Sequence, residues 1–193
     1  MVLDDQMRWD RQYGRTDQPE KPAAFLAEIL DDGHWVIAPG RALDIACGTG
    51  RNALFLAEKG FTVTAVDISR VGLEQGVQRA KERSLPISWQ QADLESFQLP
   101  HGAYDLVVNV NFLQRSLIPQ IKSALIAGGH VVFETYLIDQ RAAGHPKNPD
   151  YLLAHNELLE HFRDFRVLRY REGKFAERGE LSFRAGIFAQ KPD

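Results

Sequence analysis

The sequence predicts an α/β fold, a doubly wound and mostly parallel sheet of seven strands in which the last strand is antiparallel. Three observations carry this. From residue 41 onward, short β-rich runs alternate with helical ones. The run RALDIA ends in the turn Cys47-Gly48-Thr49-Gly50 and passes straight into a helical segment, the strand–turn–helix unit of open parallel sheets. The final two strand-like runs, FRVLRYREG and ELSFRAGIFAQ, are joined by only a few residues around 174–179. So short a link leaves no room for a crossover helix and requires an antiparallel pair.

The elements follow in order. The first 20 residues are polar, with Trp9 and Tyr13 as isolated aromatics. After Pro22, whose missing N–H suits a helix start, Phe25, Leu26, Ile29 and Leu30 form one apolar stripe. Pro39-Gly40 breaks the chain before the RALDIA strand. Residues 50–59 read as a helix stopped by Gly60, and FTVTAVD as a strand ending at Asp67. Residues 69–83 read as a charged helix with Val71, Leu73 and Val77 inward. PISWQQ and YDLVVNV are the next strands; residues 113–126 are helical, in two short pieces because of Pro119. GGHVVFETYLI is the fifth strand and HNELLEHF a short helix before the closing pair. The expectation is one domain over residues 1–193, with residues 1–40 as a cap and 41–193 as the core.

Composition narrows the function classes. The 193 residues carry 23 basic and 26 acidic side chains, a net charge of −3, which gives no pull toward nucleic acid or an anionic membrane. One cysteine, Cys47, excludes an internal disulfide and an all-cysteine zinc site. The opening MVLDDQMRWD is no secretory signal. No run approaches the roughly 18 apolar residues of a membrane span. A cytoplasmic protein is expected.

The segment from Gly48 fits G-x-G-x-x-A, a dinucleotide fingerprint that any tight strand-to-helix turn can also produce. Asp67 ends the second strand, where a carboxylate can accept ribose hydroxyls, and Asp93 follows the third; each can equally be a loop aspartate or a cap. Together with Asp44 they place acidic groups at the carboxyl ends of three successive strands, the edge where open α/β sheets bind ligands. Asp44 also discriminates between ligands. A carboxylate beside the turn repels a pyrophosphate and attracts an ammonium or a sulfonium. No lysine follows Gly50 in the manner of a nucleotide-triphosphate loop.

On the segments LDIACGTGRNA, VDIS, QADL and YDLVVNVNFL the chain resembles the class I S-adenosylmethionine-dependent methyltransferases. Within them it is most similar to the small bacterial tellurite-resistance-type methyltransferases, through CGTGRNALFLA, FLQRSLIPQIKSALIAGGHVVFETY and HPKNPDYLLAHNELLEHFRDFRVLRYREG. The resemblance implies a Rossmann-like core with S-adenosylmethionine as cofactor. Gly48 and Gly50 would line its methionine part, Asp44 lie near its amino group and Asp67 hold its ribose. Asp93 and Leu94 would face the adenine, Asn109 would close the site, and Asn52 and Ile68 complete the contacts. Trp9 and Tyr13 match a W-x-x-x-Y segment that caps the cofactor in relatives. An Asn/Asp-Pro-Pro motif of nucleobase methyltransferases is absent, Asn109-Val110-Asn111-Phe112 standing there instead.

Methyl transfer is an in-line displacement in which positioning supplies much of the acceleration. The expected acceptor is a small molecule such as a thiol, a chalcogen oxyanion or another metabolite, and no residue is compelled to be a base. Candidates on the acceptor side are Arg115, which can also be a solvated helix arginine, and Tyr136 and His145 in the long connection after the fifth strand. Cys47 reads as packing. No metal site is expected. A nicotinamide-dependent oxidoreductase, a non-catalytic cofactor-binding module and a protein methyltransferase stand as alternatives, and the chain is expected as a monomer or homodimer.

Overall fold

The computed structural model describes residues 2–15, 21–31, 33–177 and 180–193. Strands β1 (Arg41–Ile45), β2 (Thr62–Asp67), β3 (Ile87–Gln91), β4 (Tyr104–Val110), β5 (Leu125–Tyr136), β6 (Arg166–Glu177) and β7 (Glu180–Gln190) form one sheet in the order β3-β2-β1-β4-β5-β7-β6. The β1–β2, β1–β4, β2–β3 and β4–β5 ladders are parallel, whereas β7 runs antiparallel to both β5 and β6. This is the expected topology. The order reverses between β1 and β4, so a crevice opens at the carboxyl ends of those two strands.

Helices cover both faces. One face holds α2 (Ala24–Asp31) and α3 (Arg51–Glu58) over Ala42, Val108, Val132 and Phe188. Phe25, Leu26 and Ile29 of α2 are fully buried, each contributing about 1.5–3 kcal/mol. The other face packs α5 (Ile118–Ala124) and α7 (Glu157–His161) with Phe162 and Phe165 over Leu43, Val107 and Phe133. The remaining helices are α1 (Val2–Tyr13), α4 (Arg70–Glu82) and the single turn α6 (Gln140–Ala143). As Pro119 suggests, a 3₁₀ turn at Arg115–Leu117 precedes α5.

Two differences from the sequence reading are informative. The polar N-terminal segment is a helix, α1, and it is docked by polar contacts rather than an apolar stripe. Asp10 accepts from Ser69 Oγ at 2.5 Å and from the Val71 amide at 3.1 Å, and Gln75 donates to the Tyr13 carbonyl at 3.0 Å. In α4, Val77 points outward at 45% exposure, while Gly72, Leu73, Gly76 and Ala80 form the buried face. Trp89 of β3 lies where a Cβ on Gly76 would sit, at 2.6 Å, so bulk on that face comes from the sheet and not from the helix.

Candidate functional site

The crevice is built around the glycine turn. Gly48 and Gly50 adopt φ of 57° and 79°, left-handed conformations that favour glycine. A Cβ on Gly48 would meet the Tyr13 hydroxyl at 2.6 Å, and one on Gly50 would meet Trp89 Cη2 at 2.2 Å. The turn thus brings bare backbone against two aromatic side chains. Ala46, just before it, also holds a positive φ of 52°, a strained conformation of the kind that clusters at functional sites.

Asp67 organises the turn from β2. One carboxylate oxygen accepts from the Gly48 amide at 2.7 Å, the other from the Ser69 amide at 2.8 Å. Each oxygen keeps a further lone pair for a ligand hydroxyl. Ser69 itself caps α4 by accepting from the Gly72 amide at 3.0 Å. Burial raises the Asp67 pKa above the usual carboxylate range, and the bonds from Ser69 and Gly48 pull it back.

Asp44 is the unusual group. It is 1% exposed, and neither carboxylate oxygen completes a hydrogen bond. Burial pushes its pKa up to about 7, with the Ala53 amide and the nearby Arg51 opposing the rise. A buried carboxylate without partners is costly unless a cation joins it. Arg51, the first residue of α3, is itself buried and donates to the Lys21 carbonyl at 3.4 Å. Sequence reading passed over it; its place one residue after Gly50 was the available signal. Cys47 is buried in the turn, and burial together with Asp44 and Asp67 pushes its thiol pKa well up, so it is unsuited to act as a thiolate.

The other predicted contacts are distributed as follows. Tyr13 lies against Gly48 and Gly72 and stacks on Trp9 with ring centroids 5.8 Å apart. Burial and the Asp67 carboxylate push the Tyr13 phenol pKa up. Asn109 donates to the Phe112 carbonyl at 2.8 Å, while its Oδ1 is buried and without a partner among the described residues. Asn52 accepts from the Ala23 amide at 2.9 Å, which ties the chain before α2 to α3. Asp93 accepts from the Glu95 amide at 3.0 Å, next to the buried Leu94. The Ile68 carbonyl accepts from Gln91 at 3.1 Å.

On the acceptor side the candidates separate. Arg115 makes a two-point pair with Glu157, at 2.6 and 3.0 Å, and donates to the carbonyls of Asp150 and Leu152. Four hydrogen bonds from its guanidinium pin residues 150–157 against the 3₁₀ turn. His145 is exposed; its carbonyl accepts from Gln140 at 3.0 Å. Tyr136 ends β5 with its ring 4.3 Å from the Arg184 guanidinium. The buried Arg184 and Glu134 of β7 and β5, and the half-buried Arg171 of β6, were not singled out in the sequence, because a charge in an alternating strand reads as solvent-facing. Among the described residues no group of three or more His, Cys, Asp or Glu could hold a metal ion, and no helix is long and apolar enough to cross a membrane.

This sheet order, with its glycine turn and strand-end carboxylates, is the class I S-adenosylmethionine-dependent methyltransferase fold, and residues 42–129 match the family model of a methyltransferase domain. More particularly, the chain is similar to the probable S-adenosyl-L-methionine-dependent methyltransferase TehB of Haemophilus influenzae, at 27% identity over 77% of this chain and 54% of the relative. The crystal structure of TehB from Haemophilus influenzae superposes with a TM-score of 0.73 at 23% identity, covering 96% of this chain and 66% of that one. A structure concerned with conversion of a disulfide bond into a thioacetal group during echinomycin biosynthesis gives a TM-score of 0.77 at 18% identity, covering 97% and 92% of the two chains. These two structures speak to the fold. The chain spans about half the length of the curated relatives it matches first.

S-adenosylmethionine is the cofactor of this class, and the residues at the turn fit it. The two oxygens of Asp44, buried and without a hydrogen bond, suit an ammonium group. A dinucleotide pyrophosphate would meet the same buried carboxylate and be repelled.

Proposed function

We propose that the protein transfers the methyl group of S-adenosylmethionine to a small-molecule acceptor. The observation that carries this reading is Asp44, a buried carboxylate beside the glycine turn whose two oxygens complete no hydrogen bond. Asp44 would receive the amino group of the cofactor, Asp67 its ribose hydroxyls, and Asp93 with Leu94 its adenine. When bound, the cofactor supplies an electrophilic methyl group on a sulfonium. The protein's part is to hold the acceptor in line with it and to keep water out, and Tyr13 and Trp9 on α1 would serve as the cover. No side chain at the crevice is obliged to act as a general base, so a soft nucleophile such as a thiol fits best.

The reading is tested by incubating the full chain with methyl-labelled S-adenosylmethionine and a fractionated pool of small metabolites and thiols. The expected result is enzyme-dependent S-adenosylhomocysteine together with label in a low-mass product. Cofactor binding with no labelled product from any fraction would overturn catalysis and leave a binding module. Label appearing only in added protein would overturn the small acceptor.

A further inference from the structure

The residues assigned to the cofactor are closed off. Asp44 and Asn109 are 1% exposed and Asp67 5%, and Gly48 and Gly50 are buried. A ligand of nucleoside size cannot reach groups that water scarcely touches, so part of the structure must move aside for it. Helix α1 is the element that lies on the turn. A Cβ on Gly48 would meet the Tyr13 hydroxyl at 2.6 Å, and one on Gly72 would meet the Tyr13 ring at 3.0 Å. Burial raises the phenol pKa, as do Asp67, Cys47 and Asp44, while Arg51 lowers it. The hydroxyl therefore stands among the groups of the crevice.

Helix α1 has no apolar anchor. No residue between 5 and 15 is buried, whereas α2 buries Phe25, Leu26 and Ile29. An element with few buried apolar contacts opens at a small fraction of the global unfolding cost. Its docking is polar. Asp10 Oδ1 accepts from Ser69 Oγ at 2.5 Å and from the Val71 amide at 3.1 Å, and Gln75 donates to the Tyr13 carbonyl at 3.0 Å. The Asp10 carboxylate sits at the N-terminus of the 13-residue α4, where the helix dipole favours an anion. Ser69 joins this contact to the site, because its amide donates to Asp67 Oδ1 at 2.8 Å. One residue thus separates the carboxylate that docks α1 from the carboxylate assigned to the ribose.

Resting on the cofactor site proposed above, we infer that α1 is a gate over the crevice and that Asp10 is its latch: S-adenosylmethionine enters, and S-adenosylhomocysteine leaves, only when Asp10 releases Ser69 and Val71. Asp10 acts through Tyr13 and Ser69, so it is a positioning residue. The latch contacts are made by Asp10, Ser69 and Val71 alone, and the cofactor adds nothing to them. Their strength therefore cancels from the equilibrium affinity and appears in both rates of exchange. A cover that formed only over bound cofactor would instead affect release alone.

The test is the kinetics of S-adenosylhomocysteine exchange in the full chain. Association is followed by stopped-flow tryptophan fluorescence, and dissociation by displacement with excess S-adenosylmethionine. In Asp10→Ala both rate constants are expected to rise at least about tenfold, the worth of one hydrogen bond to a charged group, with Kd within about threefold of the parent. Asp10→Asn keeps an accepting oxygen without the charge, which about halves the contact, so both rates should rise about threefold. Amide hydrogen exchange in residues 9–13 should quicken in the same order. A rise in the dissociation rate alone, unchanged rates in both variants, or faster exchange in Asp10→Asn than in Asp10→Ala would overturn the inference. If Asp10→Ala does not fold, Asp10→Asn against the parent decides. Failure of the folded chain to bind S-adenosylhomocysteine at all would instead overturn the cofactor site, which separates the two outcomes.

Discussion

Asp44 couples cofactor binding to pH. Burial pushes its carboxyl up to about 7 in the free chain, against the pull of the Ala53 amide and Arg51. A cofactor ammonium placed beside it favours the ionised form and drives the proton off. The fraction already ionised is about one-tenth at pH 6 and about half at pH 7. Affinity should therefore strengthen about fivefold from pH 6 to 7, and about tenfold per unit below pH 6. Above roughly pH 7.8 the ammonium of the ligand itself deprotonates and affinity falls again. The profile is thus bell-shaped, with its maximum between these two values. Calorimetry in buffers of differing ionisation enthalpy should show net proton release on cofactor binding at pH 6 that diminishes as pH rises. Asp44→Asn should flatten the acid limb and weaken binding by about 1.5–3 kcal/mol, the worth of a hydrogen bond to a charged group. The free chain should respond in the opposite sense. The folded pKa of Asp44 lies above its unfolded value of 3.8, so between these values the unfolded chain binds fewer protons and stability falls as pH rises. The loss is of order 4 kcal/mol and is complete above pH 7. Asp44→Asn without cofactor should accordingly melt higher than the parent at pH 7.5. A pH-independent affinity between 5.5 and 7, with no proton release, would refute the placement of the ammonium at Asp44.

Other expectations follow from neighbouring contacts. Asp67→Ala removes the acceptor of the Gly48 and Ser69 amides and, on the proposed reading, the ribose site; cofactor affinity should drop by at least ~1.5 kcal/mol, read by calorimetry. Gly50→Ala forces a Cβ to within 2.2 Å of Trp89 at a φ of 79° and should cost roughly 2–5 kcal/mol in denaturant unfolding. Arg115→Ala releases Glu157 and the carbonyls of Asp150 and Leu152. Because the pair is part-exposed the loss should be only about 1 kcal/mol, with faster proteolysis near residues 149–153 and cofactor affinity unchanged.

Much of the fold was legible because the strands of a covered sheet announce themselves. YDLVVNV is a strand over its full length, Tyr104–Val110, and FTVTAVD ends at Asp67 as expected. The antiparallel pair was legible from the brevity of its link, of which residues 178 and 179 lie outside the described set. What escaped was structure made by polar contact. Helix α1 has no apolar stripe to betray it, since Asp10 and Gln75 do the docking. Val77 misled because the packing face of α4 is made of small residues under Trp89. The glycine turn was readable from spacing, and Gly48 and Gly50 adopt the positive φ that it requires. The buried charges Arg184 and Glu134 were not, because they meet across neighbouring strands and such pairing leaves no local pattern. Arg115, the arginine that stood out by position, turned out to be held by Glu157.

The most direct test of the whole account is a calorimetric titration of the full chain with S-adenosylmethionine at pH 7.4. The account predicts saturable one-to-one binding that Asp44→Asn and Asp67→Ala each weaken. No detectable heat at millimolar cofactor, in a chain shown to be folded, would contradict it.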